Sequence, residues 1–278
     1  MIPGYHTAGL LQHDVSDAVG ELAHLGYGCV AIRPHPGTLN PRSPFFGEHM
    51  LRLADAISRA DIQSVIDVDG LFLHDPMTAR GPSLVAVDEH ECIAARRWIE
   101  QWVGIAAELG SKLITFSSGI GDRSGFDSDE QTLERLAITL NGLMEHTRDK
   151  QVRLALRPRS GDAIATVAQF ERLAQWLAEP ECLLLAADIG EMLIGGELPV
   201  SDRLGRNPDA LACVYLCDRR AGVAADQRIG QGDVALGRIV RSLADQGFRG
   251  PAIVRVEGHS ELGFTPAQEA IQIFEETC

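Results

Sequence analysis

Short apolar segments alternate with amphipathic segments about eight times along the chain, and that rhythm restricts the folds open to it. Runs over 2–7, 28–33, 63–69, 112–118, 152–157, 183–189, 212–217 and 252–257 read as strands. Helical periodicity fills the intervals at about 16–25, 47–60, 88–109, 128–148, 164–178, 201–206, 233–246 and 265–276. Val15, Val19, Leu22 and Ala23 form the apolar stripe of the first helix, and Gly26, Gly110 and Gly247 are placed to stop three helices. Asp233 is expected to cap the helix that follows it. Strands separated by helices pair in parallel, because each connection must cross over. Eight such units in 278 residues fit a closed barrel better than an open sheet. The stretch GYHTAGLLQHD at the first strand also lacks the G-x-G-x-x-G turn of dinucleotide-binding sheets. With no low-complexity linker, the expected architecture is one α/β domain over residues 1–278, a (β/α)8 TIM barrel. Its site is then expected at the C-terminal mouth of the strands.

Side chains on a strand alternate between faces. In the last four strands the outward face reads Leu154/Leu156, Leu185/Ile189, Val214/Leu216 and Val254/Val256, suited to lie under helices. The inward face near the strand ends then carries Arg157, Asp188, Tyr215 and Arg255. Two cations, one anion and one phenol suit an anion better than a metal. The net charge of −14, with no basic run, argues against a nucleic-acid partner. Only Lys112 and Lys150 are lysines, and neither is placed for Schiff-base chemistry. The six cysteines show no metal-type spacing, and Cys29, Cys182, Cys213 and Cys217, in apolar runs, read as buried thiols of a reducing compartment. MIPGYHTAGL lacks the pattern of a secretory signal, and no apolar run approaches membrane-spanning length. A cytoplasmic protein without a membrane partner is the expectation.

Several segments resemble the xylose isomerase-like TIM-barrel superfamily of sugar isomerases and epimerases, which includes endonuclease-IV-like members. They are the opening GYHTAGLLQHDVSDAVGELAHLGYGCVAI, then RLALRPRSGD, LLAADIGEML, VYLCDRRAG and RIGQGDVALGRIVRSLADQGFRGPAIVRVEGH. The resemblance implies a divalent metal held by Glu, Asp, His and Glu from successive late strands, with the two glutamates also moving protons. Carried over by position, these four fall on Arg157, Asp188, Tyr215 and Arg255, and a neighbouring family histidine falls on Glu191. One of four ligands survives and both proton-transfer carboxylates are replaced. Arginine is always charged and has no acceptor, so it neither ligates a metal nor takes a proton. No metal and no other cofactor are therefore expected. Homo-oligomers are common among barrels of this resemblance, so a homo-oligomer is a possible state.

Two readings of the arginines stand side by side. Buried charges need partners, so both guanidiniums can close on Asp188 as an internal network. Alternatively one pairs with Asp188 while the other, with Tyr215, receives a carboxylate or phosphate. Arg33 and His35 are at the correct end for substrate contact, and Arg159 reads as a loop residue able to extend the cationic rim. Asp67 or Asp69 is a candidate partner for an arginine, and Ser117 and Ser118 are candidates for bonding hydroxyls. Glu257 and His259 are the remaining acid–base candidates, with a purely structural role the competing reading. Glu191 is expected to bridge to an arginine, and Cys217 has no adjacent base to make it a nucleophile. GQGD over 230–233 permits a tight turn before a helix, where a phosphate and the capping Asp233 would compete. The expected ligand is a small anionic or polyhydroxylated molecule: a sugar, keto-sugar or sugar acid. A non-catalytic relative that binds such a ligand, or a partner subunit, is the alternative.

Overall fold

A computed structural model describes residues 1–121, 127–223 and 225–275. The strands are β1 (Ile2–His6), β2 (Cys29–Ile32), β3 (Gln63–Asp67), β4 (Leu113–Phe116), β5 (Arg153–Leu156), β6 (Leu183–Asp188), β7 (Leu211–Leu216) and β8 (Pro251–Val254). They pair in parallel in chain order and close between β1 and β8, giving the eight-stranded barrel that the alternation predicts.

The helices in chain order are α1 (Val15–His24), α2 (Phe46–Ala60), α3 (Glu89–Glu108), α4 (Asp129–Thr147), α5 (Val167–Ala174), α6 (Ile189–Ile194), α7 (Val200–Leu204), α8 (Leu236–Asp245), α9 (Thr265–Ala270) and α10 (Gln272–Glu275). Local chemistry explains where they depart from periodicity. Thr166 and Gln169 form a capping box, so α5 starts at Val167 and not at 164. The Asp188 carboxylate caps a short helix, α6, directly after β6. Asp233 does not cap α8, which begins at Leu236 without a side-chain cap. Its carboxylate accepts the Ala221 N–H instead, at 2.9 Å. The last expected helix divides into α9 and α10.

Two apolar layers follow from strand alternation. Leu154, Leu156, Leu185, Val214, Leu216 and Val254 join the core between strands and helices. Small or slender residues fill the lumen below the site, among them Ala31, Val65, Ala155, Ala186, Cys213 and Ile253. This packed floor leaves the polar side chains only the upper end of the barrel.

Candidate functional site

The inward positions at the upper strand ends form one polar layer. His6 ends β1, Asp67 ends β3 and Asp188 ends β6, while Arg33, Arg157 and Arg255 each stand one residue beyond their strands. The ladder still fixes two of these arginines. The Arg157 N–H donates to the Phe116 carbonyl at 2.8 Å, and the Arg255 N–H donates to that of Leu216 at 2.9 Å. Both side chains therefore enter the lumen as alternation requires, and both residues are buried.

They do not close on one carboxylate. Arg157 reaches across to the β3 end, with Nη1 3.2 Å from Asp67 Oδ2 and Nη2 2.7 Å from Asp69 Oδ2. Arg33 donates from Nε to the same Asp67 oxygen at 3.0 Å, and from Nη1 to Glu257 Oε2 at 2.9 Å. His6 Nδ1 accepts the Ala8 N–H, so Nε2 is the donor to Asp67 Oδ2 at 2.9 Å. A second cluster surrounds Arg255, which donates to Asp188 and, from Nε at 3.1 Å, to Asp226. Arg219 lies 3.1 Å from the other Asp226 oxygen. The clamp of two guanidiniums on Asp188, the first of the two readings, thus gives way to two clusters, because Asp67, Asp69 and Asp226 supply further carboxylates.

These contacts set the protonation states. Burial opposes ionisation of Asp67, but Arg157 and then Arg33 outweigh it and hold its pKa well below the ordinary value. Burial likewise opposes the charge on Asp188, and Arg255 foremost brings its pKa down. Burial first, and Arg33 second, lower the His6 pKa to about 4, so its imidazole is neutral. The charges named only from four strand ends are therefore a poor guide to the field. Arg33, Arg157, Arg159, Arg219 and Arg255 face Asp67, Asp69, Asp188, Glu191, Asp226 and Glu257, a nearly balanced set.

Other expected site residues take different places. Tyr215 is fully buried below the mouth, its hydroxyl 2.7 Å from Thr115 Oγ1 and its ring 5.1 Å from the Arg157 guanidinium carbon. Burial pushes its phenol far up, and it is not among the residues that line the mouth cavity. Glu257 does line the mouth, with its side chain 46% exposed, but it is paired to Arg33. Burial opposes its charge, yet Arg33 lowers its pKa, which weakens it as a base. His259 turns away to the Asp226 carbonyl at 3.0 Å, so Glu257 and His259 do not assemble as a pair. Glu191 lines the mouth and accepts the Ser160 N–H at 2.7 Å. Ser117 Oγ donates to Asp69, and His35 closes its own turn by accepting the Gly37 N–H. Cys217 is buried and donates to Asp188. The GQGD loop already holds an anion of the protein itself: the Asp218 carboxylate accepts the N–H groups of Gly230, Gly232 and Val234 at 2.8, 2.9 and 3.2 Å.

Arg159 is the exception at the mouth. Among the described residues its guanidinium makes no ion pair and no side-chain hydrogen bond. Burial, and then the neighbouring Arg80 and Arg157, pull its pKa down against the attraction of Asp69. It lines the mouth cavity of about 120 Å³ and also an adjoining chamber of about 270 Å³. His6, Asp226 and Arg219 were not legible as site residues. Parity points His6 inward, but Pro3 and Gly4 mask that strand; Asp226 lies in a loop that carries no periodic signal.

With fold and site in hand, the family is clear: the xylose isomerase-like TIM-barrel profile matches residues 19–277, and the chain belongs to that family. The D-psicose 3-epimerase of Clostridium cellulolyticum H10, solved with D-tagatose, is 15% identical with a TM-score of 0.77, over 100% of this chain and 98% of that one. The 3-keto-D-glucoside 4-epimerase of E. coli is 16% identical with a TM-score of 0.76, over 100% of both chains. A protein named IOLI, solved with a zinc atom, is 16% identical with a TM-score of 0.74, over 100% of this chain and 96% of that one. Among curated proteins, none matches the sequence. No helix among the described residues is long and apolar enough to cross a membrane.

The divalent metal implied by the family resemblance does not fit the residues present. Arg157 and Arg255 have only donors to offer. Tyr215 keeps its proton, and Asp188 is already bonded to Arg255 and Cys217. Among the described residues no group of three or more His, Cys, Asp or Glu side chains is arranged to hold an ion.

Proposed function

We propose that this barrel binds a small anionic, polyhydroxylated molecule at its C-terminal mouth, a sugar acid, keto-sugar or sugar phosphate, without a divalent metal. The observation that carries this reading is Arg159, a guanidinium facing the mouth with no ion-pair partner among the described residues. A planar fork of donors in a partly desolvated position suits a carboxylate or phosphate. The carboxylates that line the mouth with it, Asp69, Glu191 and Glu257, offer acceptors for hydroxyl groups. The mouth volume of about 120 Å³ equals the liquid volume of about four waters, enough for a short polyol unit.

Binding is favoured over isomerisation, because Glu257 is held ionised by Arg33 and is a weak base. The second reading, a metal-independent isomerase or epimerase, draws on the same residue, the half-exposed carboxylate at the rim. Calorimetric titration with glycerate, sugar acids and sugar phosphates, against neutral polyols and Mn²⁺, tests both. Anions should bind, Arg159→Glu should abolish binding, and Mn²⁺ should give no heat. Absence of binding by any anion, or a stoichiometric Mn²⁺ site, would overturn the proposal. Deuterium exchange into a bound sugar, lost in Glu257→Gln, would establish the catalytic reading.

A further inference from the structure

The mouth cavity and the larger chamber adjoin, with Asp69, Leu71 and Arg159 lining both. The chamber lies between the ends of β3 and β4 and the first half of α3. Its wall includes Val68, Leu84, Ala95, Trp98 and Ile99. Trp98 is held on two sides, edge to face with Trp102 at 5.5 Å and with His74 at 5.4 Å. The polar groups of this wall are largely engaged already. Arg80 pairs with Asp162, Glu91 accepts the Ser83 N–H, and Ser83 Oγ donates to the Ile120 carbonyl. Thr78 Oγ1 donates to Asp75, and Ser117 donates to Asp69. Arg159, at the junction with the mouth, is the guanidinium left over.

A cavity of about 150 Å³ lined by apolar side chains is sufficient for a benzene ring. At about 270 Å³ the chamber exceeds that; Val68, Leu84, Ala95 and Ile99 in its wall are buried, and half-buried Trp98 is the apolar side chain that a bare sugar would leave partly facing water. We infer that the ligand carries an aromatic ring that enters this chamber while its anionic group lies against Arg159. The substrate class is then an aryl-bearing hydroxy acid or sugar acid. Ring contacts with Trp98, offset or edge-on, are the geometry that aromatic quadrupoles favour. This inference rests on the proposed anion site at Arg159, and the two can fail separately.

The test compares glycerate with 3-phenyllactate, two hydroxy acids of which the second carries a phenyl group. Affinities come from calorimetry, and ring entry is read from the joint fluorescence of Trp98 and Trp102 in a Trp176→Phe background, since Trp176 is exposed elsewhere. Phenyllactate should bind about 10- to 100-fold more tightly, the factor expected from burying a phenyl group. It should change the fluorescence, and Trp98→Phe should remove that change. Ala95→Leu, which narrows the chamber, should erase the preference and leave glycerate affinity unaltered. Should Ala95→Leu fail to fold, the fluorescence arm decides alone. Equal affinities with no fluorescence change overturn the aromatic inference and leave the anion site standing. If neither acid binds but benzyl alcohol still changes the fluorescence, the anion site is wrong and the chamber is right. If benzyl alcohol is also silent, both are wrong.

Discussion

Replacing Arg157 by methionine removes the cation that joins Asp67 to Asp69 while keeping an apolar stem of similar length. The wild-type guanidinium is almost fully buried, with its side chain 3% exposed, and Asp67 is 0% exposed. Breaking a buried ion pair by deleting one partner costs about 3–5 kcal/mol, because the other charge is left uncompensated. Here the lower end applies. Asp67 keeps Arg33 at 3.0 Å and His6 at 2.9 Å, and Asp69 keeps the N–H and hydroxyl of Ser117. For a domain of this size, about 3 kcal/mol corresponds to a fall in Tm of about 6–12 °C. Thermal and urea unfolding followed by circular dichroism measure this. Adding Asp69→Asn should recover about 1 kcal/mol, since the amide retains bonds to Ser117 without a stranded charge. A single variant melting within about 2 °C of wild type would show that the guanidinium does not neutralise these carboxylates.

His6 makes stability depend on pH in a defined direction. Its pKa falls to about 4 in the folded protein against an ordinary 6.5, so the unfolded chain takes up the proton first. The stabilisation from this group is complete above about pH 6.5 and declines through the window down to about pH 4, by up to about 1.4 kcal/mol per pH unit. His6→Gln should flatten that slope in urea titrations, and identical slopes would refute the assignment. Gly232→Ala places a methyl 2.1 Å from Asp218 Oδ1 and 2.6 Å from the Arg219 carbonyl, so the loop must move. Loss of bonds to the Asp218 carboxylate should cost about 2–3 kcal/mol and expose the Gly230, Gly232 and Val234 amides to hydrogen exchange. Unchanged protection at those amides would refute the role given to Asp218.

The barrel was legible because eight strand–helix alternations leave few closed solutions, and strand parity correctly turned Arg157, Asp188, Tyr215 and Arg255 inward. Parity gives a direction but no height and no partner. Tyr215 points inward but is bonded to Thr115 and lies outside the mouth lining, and Arg157 reaches past β4 to the end of β3, a contact 90 residues away in sequence. Asp226 and Arg159 stand in loops, where no period applies, so their pairing and lack of pairing emerge only in three dimensions. Asp233 has the composition of a helix cap, but the Ala221 N–H claims it first.

The interlocked arginines also bear on how such a chain can change over generations. A glutamate in place of Arg157 would gather three acids with Arg33 as the remaining paired cation, and one in place of Arg255 would do the same beside Asp188 and Asp226 with Arg219. Building an acidic cluster at these positions would therefore mean altering the aspartates together with the arginines.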